Sequence, residues 1–465
     1  MLTSLRQLLG RPVGNAPLVV WRVLFGLLML LEAWGALATG WVRVNLVEPD
    51  YTFPFFDFEW LATLTGPYWY AHFAVMGGAA LGVMLGWRYR LTALALAVTW
   101  SMAYFAQKTS YNNHYYLAVL LVWAMALVPE AAARASLDAR RRGRATLTNP
   151  YWINLGAKLM LLVVFSFGAL AKLYPGWLNG DFIATGFAAK AHYPLIGPLL
   201  TWPPFQAFIT WGALAFDATI VPLLWWRRTR WLAFGGLVCF NVFNSVVFQI
   251  GIFPYLVLAF TVFFFHPEQI ERWFRLPAPR PALPLTRVPP RTGEDVPSAR
   301  PRGRSPIASY RAAVLFLLFF GVQIALPLRH HLVAGDVNWT DEAHRLSWRM
   351  MTRTKYGGLK LEAVNPTSGE RESVSRQWGL TPKQARHVAT KPDFLYAHLQ
   401  RLKRYYTTER GWPTVELYAR ESRVHLNNRG PARLYRDSVD LAKVTWRPFR
   451  HHDWVLPPPA DLYSR

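Results

Sequence analysis

Gln107-Lys-Thr-Ser-Tyr-Asn-Asn-His-Tyr-Tyr116 lies between two apolar runs, 91–107 and 114–129, each near the length that crosses a bilayer. One membrane boundary therefore concentrates Lys108, Asn112, Asn113 and His114. Polar groups of this kind are costly to desolvate, and ionisable residues at membrane depth point to a site. The competing reading is a wet loop that caps the following helix.

Seven further apolar runs flank this segment, at 17–39, 68–86, 153–173, 203–226, 231–249, 252–266 and 309–327. That makes nine, with 114–129 and 252–266 short for a span. The 22 Trp and 29 Phe among 465 residues suit the interfacial belts of a membrane protein. The net charge of +24 falls in short clusters between apolar runs, the pattern of cytoplasmic loops rather than of a nucleic-acid-binding face. With the N-terminus inside, the inner loops carry Arg88 and Arg90, then Arg134 and Arg140–Arg144, then Arg227, Arg228 and Arg230, then the stretch from Arg272 to Arg311. The outer loops hold Glu48, Asp50, Asp57 and Glu59, the 107–113 segment, and 174–202 with a single Lys190. The first run follows Arg6 and Arg11 and is too long for a signal-peptide core, so it reads as a retained span. The one cysteine, Cys239, excludes an intrachain disulfide.

These features predict an α-helical membrane bundle of about nine transmembrane helices with a C-terminal extracytoplasmic α+β domain. Its parts are a bundle at 1–274, a disordered basic loop at 275–307, a last transmembrane helix at 308–327 and the outer domain at 328–465. The loop contains nine prolines and cannot bury a core. In the outer domain, Thr381-Pro382 reads as a helix N-cap with Pro in the first turn. Leu395, Leu399, Leu402 and Tyr406 recur at helical spacing. Residues 359–364, 414–418 and 424–426 alternate like strands.

Further candidates lie near the same outer boundary. Lys172 stands near the outer end of the fifth run. It either snorkels its amine to the interface or is desolvated and able to act as a base. Asn241, Asn244, Ser245 and Gln249 gather near the outer end of the seventh run, as interhelical glue or as a cavity lining. Asp217, an acid inside an apolar run, requires a partner in the bundle interior. The pairs His330-His331 and His451-His452 have no Cys or carboxylate spacing beside them that would make a metal site, and no metal is expected. No P-loop, Gly-rich dinucleotide motif or Gly-x-Ser-x-Gly elbow occurs.

Several of these segments, in this order, resemble the vitamin K-dependent gamma-glutamyl carboxylase family with its HTTM-type membrane domain. Lys108-Thr-Ser-Tyr-Asn-Asn-His114 is the most specific match. Thr52-Phe-Pro-Phe-Phe-Asp57, Gly86-Trp-Arg-Tyr-Arg-Leu91, Ala171-Lys-Leu173 with Trp177 and Gly180, and Asn244-Ser245 with Ile250-Gly-Ile-Phe253 also resemble it. So do Asn338-Trp-Thr340, Ser347-Trp348, Met350-Met351 and Arg353, and, near the end, Val439-Asp440, Trp446 and Trp454-Val455.

The resemblance implies carboxylation of peptidyl glutamate coupled to epoxidation of reduced vitamin K, a menaquinol-type naphthoquinone, with O2 and CO2 as co-substrates. It implies Lys172 as the base, with Asn113 and His114 orienting the quinone oxyanion. Lys108, Asn112, Asn244 and Gln249 are implied on the quinone side. Trp348, Arg349, Met350 and Arg353 are implied on the glutamate side. The implied partners are a glutamate-containing peptide or secreted protein, the membrane quinone and the lipid bilayer, without nucleic acid. Arg349 stands where the family has an acidic residue, and Asn is found in the Asn241 neighbourhood where it has histidine. The first departure keeps open a quinone mono-oxygenase or epoxidase that does not carboxylate. A non-catalytic membrane binding or transport protein is the third reading, and it would make no use of Lys172.

Overall fold

The computed structural model describes residues 2–56, 58–277, 306–374 and 378–464. The proline-rich loop expected at 275–307 lies almost wholly outside them. The helices of the membrane part are α1 (Ala16–Ala38), α2 (Tyr68–Leu85), α3 (Tyr89–Ala106), α4 (Asn113–Leu127) and α5 (Tyr151–Leu170). They continue with α6 (Pro203–Trp225), α7 (Arg230–Phe243), α8 (Phe253–Phe260) and α9 (Pro306–Leu328). A π-helical turn, Asn244–Phe248, extends α7, and a 3-10 turn, Thr261–Phe264, extends α8.

Among the described residues, six helices are long and apolar enough to cross a membrane: α1, α2, α5, α6, α7 with its π turn, and Arg311–Leu332, which holds most of α9. The other three of the nine apolar runs fall short for local reasons. Asn112 caps α4, its side chain accepting from Tyr115 N at 2.7 Å, and Pro129 follows closely, leaving 15 residues. The α8 helix cannot start before Gly251, whose φ of +64° makes a left-handed turn. The 18-residue α3 includes Arg90, Thr92, Thr99 and Ser101, which lower its apolarity.

Outer surfaces of this bundle are apolar. Leu232 on α7 is 81% exposed and Leu315 on α9 is 65% exposed. Such faces suit hydrocarbon rather than water. Inside, close helix approach depends on small residues. A Cβ on Gly26 of α1 would come within 2.6 Å of the Met84 backbone nitrogen on α2.

The two ends of the bundle differ in chemistry. At the start of α1, Asn15 donates to Thr146 O (2.6 Å), and strands β1 (Pro12–Gly14) and β2 (Thr148–Pro150) pair. Arg22 donates to Ala131 O and Ala135 O, Arg134 pairs with Glu271, and Asp138 accepts from the backbone of Arg88 and Tyr89. At the far end of α1, residues 45–53, 107–113 and 174–181 meet the C-terminal domain. Lys383 donates to Asn45 Oδ1 (2.7 Å), and Gln384 to Tyr51 O (2.7 Å). Asp181 receives both arms of Arg429 (2.7 and 2.8 Å).

The C-terminal domain is a four-stranded antiparallel sheet ordered β4-β3-β5-β6: β3 (Lys355–Val364), β4 (Arg371–Val374), β5 (Glu416–Leu426) and β6 (Arg429–Ala432). The two strands expected at 414–418 and 424–426 are the ends of one strand, β5. Its pairing with β3 runs on through Arg423, with a register shift at Lys360/Leu361. Helices α10 (Pro382–Thr390) and α11 (Pro392–Arg404) pack against the sheet side. Thr381 caps α10 in a capping box with Gln384, and Leu395, Leu399 and Leu402 are fully buried.

Residues 346–351 of the C-terminal domain reach into the bundle. Trp348 is fully buried with the bundle's own core, its ring 4.9 Å from that of Tyr116. The plug is shaped by left-handed backbone at Leu346 (φ 58°), Trp348 (55°) and Met351 (52°), conformations uncommon for such side chains.

Candidate active site

Two cavities meet beneath the C-terminal domain. The first, about 460 Å³, lies among α5, α6 and α7. Its walls include Phe165, Trp177, Phe182, Phe205, Phe216, Phe240, Phe243 and Phe248. Lys172 and Asp217 are the charged groups among its described lining residues. Lys172 is 4% exposed, so its amine does not reach out to the interface. Its Nζ lies 2.5 Å from Asp217 Oδ2, donates to Gly168 O (3.2 Å) and sits 5.1 Å from the Trp177 ring centroid. Asp217 thus finds the partner that an acid in an apolar helix requires. Asn244, at the head of the π turn, lines the same cavity.

The second cavity, about 470 Å³, opens between the 111–114 segment and the C-terminal domain. Asn112, Asn113, His114, Arg349, Met350 and Arg353 line it, together with Asp341, His344, Lys355, Arg386, His387 and Lys391. Five basic side chains therefore face one carboxylate. Asp341 pairs with Arg353 and, at 2.7 Å, with Lys355. Burial alone would raise its pKa, but these two cations hold it well below the usual carboxylate range. Burial lowers Lys391 to about 8. Burial, with the Arg353 charge, lowers Arg349 to about 10 and keeps His344 well below its ordinary value. Arg349 donates to Asn338 Oδ1 (3.1 Å), and its Nε has no partner among the described residues. This cavity is suited to carboxylates.

Ile250, Phe253, Met350 and Met351 line both cavities and form their common wall. The polar motif of the 107–116 segment is fastened to that wall. Asn113 Nδ2 donates to Arg349 O (3.0 Å), and Tyr111 donates to Asn113 Oδ1 (3.0 Å) while accepting from Leu346 N (2.7 Å). The His114 ring lies 6.1 Å from that of Phe253 and has no hydrogen-bond partner among the described residues. Gly251, whose left-handed φ of +64° favours glycine, lies against the imidazole, where a Cβ would be 3.6 Å from His114 Nε2.

The structure thus gathers Lys172, Asn244, Asn112, Asn113, His114, Arg349, Met350 and Arg353 around one wall. Three other residues assigned by resemblance lie elsewhere. Lys108 is buried under the C-terminal domain, 3.2 Å from Asp393, with the Phe56 ring 4.5 Å away. Trp348 is spent on packing against Tyr116. Gln249 turns to Tyr193 (3.2 Å). None of the three lines either cavity. His451 and His452 both bond Glu342, at 2.6 and 2.7 Å. The sequence reading missed Asp341, Lys355, Arg386 and Lys391. They are scattered through 341–391, and their only sequence signal is an excess of basic residues beside strand and helix starts.

Comparison with known proteins finds two family models along the chain. Residues 10–269 match the family model described as HTTM domain. Residues 309–461 match the one described as Vitamin K-dependent gamma-carboxylase, lumenal domain. No solved structure matches the chain.

Proposed function

Because this multi-pass membrane protein belongs to the vitamin K-dependent gamma-carboxylase family, we propose that it carboxylates peptidyl glutamate and couples this to epoxidation of a reduced naphthoquinone. The observation that carries the proposal is the common wall: an aromatic cavity with one amine stands against a basic cavity with five cations. A flat bicyclic quinone fits the first by its aromatic faces. A glutamate side chain fits the second by its charge.

Reduced naphthoquinone supplies, on reaction with O2, a base strong enough to take the γ-proton of glutamate; the carbanion takes up CO2, and the epoxide is left. The protein's own groups do the rest. Lys172 Nζ takes the hydroxyl proton of the quinol. Phe and Trp walls exclude the water that would quench so strong a base. His114 and Asn113 stand at the wall where negative charge develops and supply donors towards it. Arg349, Arg353, Lys355 and Lys391 hold the γ-carboxylate. Asn112 contributes by capping α4, which fixes His114 in place.

The same proposal includes topology. With nine spans, an inner N-terminus and an outer C-terminal domain, the arginine-rich loops share one side. The loops that touch the C-terminal domain share the other.

The test supplies purified protein in detergent with reduced naphthoquinone, O2, labelled bicarbonate and a glutamyl peptide, counting epoxide and fixed label separately. Both products are expected, with label dependent on peptide. Epoxide without label would leave the epoxidase reading, which Arg349 in the place of an acid favours. Neither product would overturn both.

A further inference from the structure

An ammonium group has no lone pair, so Lys172 paired with a carboxylate is not yet a base. Lys172 and Asp217 are held together at 2.5 Å in a largely aromatic surround. The other described lining groups of this cavity carry no charge. Of the two acceptors that Lys172 Nζ contacts, the Gly168 carbonyl and Asp217, the carboxylate is the one basic enough to keep a proton.

We infer that Asp217 is the positioning residue and proton store of Lys172: it fixes Nζ in the aromatic cavity and takes the ammonium proton onto Oδ2. This rests on the function proposed above and deepens it. The balance is simple. The quinol O–H bond breaks and an N–H bond forms on Lys172, while an ammonium N–H bond breaks and an O–H bond forms on Asp217. The pair passes from ammonium and carboxylate to ammonium and carboxylic acid. The gained positive charge faces the quinolate, and total charge is unchanged. A mere counter-ion would behave in the opposite sense. Removing it would make the buried ammonium easier to deprotonate, and the base would work at lower pH.

Two measurements separate these roles. In the first, reduced naphthoquinone is added to the wild type under argon, and infrared difference spectra are recorded. A carboxylic-acid C=O band should appear, vanish in Asp217→Asn and move in Asp217→Glu. The Asp217→Glu shift serves if Asp217→Asn does not fold. In the second, Asp217→Asn should lose about a hundredfold or more in kcat for epoxide at every pH, as loss of proton-transfer help does. Its KM for quinol should stay within about threefold, and Asp217→Glu should recover part of the rate. Absence of the band in a wild type that makes epoxide would overturn the inference alone. So would an Asp217→Asn enzyme with kcat intact and its rising pH limb moved down. A wild type that makes neither epoxide nor fixed label sinks the functional reading instead, whatever the band does.

Discussion

Lys172→Arg distinguishes the base from a charged anchor more sharply than deletion does. Arg keeps the ion pair with Asp217 but stays protonated, so epoxide formation is expected to fall to about a hundredth or less while the protein still folds. A second residue-scale prediction concerns Arg349. Losing one charge-assisted bond costs roughly 1.5–3 kcal/mol. Arg349→Ala should then raise the KM for peptide about ten- to a hundredfold in carbon fixation. Epoxide formed without peptide should change little. An equal fall of both products at saturating peptide would contradict the division between the cavities. At this scale, Lys172, Asn113, His114, Arg349 and Arg353 could be named from local motifs. Their pairings could not, even for Asp217, which the sequence marks as an acid in need of a partner. Asp217 is 45 positions from Lys172, and Asp341, Lys355 and Lys391 converge only through the sheet and α10. Nothing local in the chain marks such convergence.

Single elements depend on contacts that their own sequence does not display. Gly26 looks like a weak helix residue, yet it is where α2 crosses α1. Gly26→Val should destabilise the bundle by about 1–3 kcal/mol through overpacking, seen as a lower thermal midpoint in detergent. The short turn at Lys108 is held by Asp393, the second residue of α11. Burial opposes ionisation of Asp393, but Arg345 (2.7 Å) and Lys108 bring its pKa down to about 2. A carboxyl depressed below its unfolded value of about 3.9 stabilises the fold above that pH. The contribution is lost as pH falls from about 4 towards 2. Asp393→Asn strands two buried cations and should cost about 3–5 kcal/mol at neutral pH. It should also flatten the acid-side loss of stability, measured by denaturant unfolding at a series of pH values. Helix ends were legible where caps and prolines lie, as at Thr381-Pro382. The insertion of 346–351 was not, because an apolar Trp348 and two Met residues read equally well as outer-domain core.

For the whole molecule, the sidedness of the arginines is the feature composition displays best. With Cys239 replaced by Ala, an impermeant thiol reagent outside intact cells should label a cysteine at exposed Ser368 and spare one at exposed Thr146. The reverse pattern would invert the topology. Composition marks nine apolar runs, whereas the caps and left-handed turns that shorten α4 and α8 become visible only in the structure. A basic cavity made from five separated cations is a property of the assembled fold alone.

The plug that carries Met350 and Met351 down from the C-terminal domain bears on how such proteins diversify. Two of the four residues of the common wall, Met350 and Met351, come with the C-terminal half of the chain, while Ile250, Phe253 and Lys172 come with the bundle. Under the proposed function, exchanging C-terminal halves between relatives should carry part of the quinone preference along with the acceptor preference, so the two traits would not evolve as independent modules.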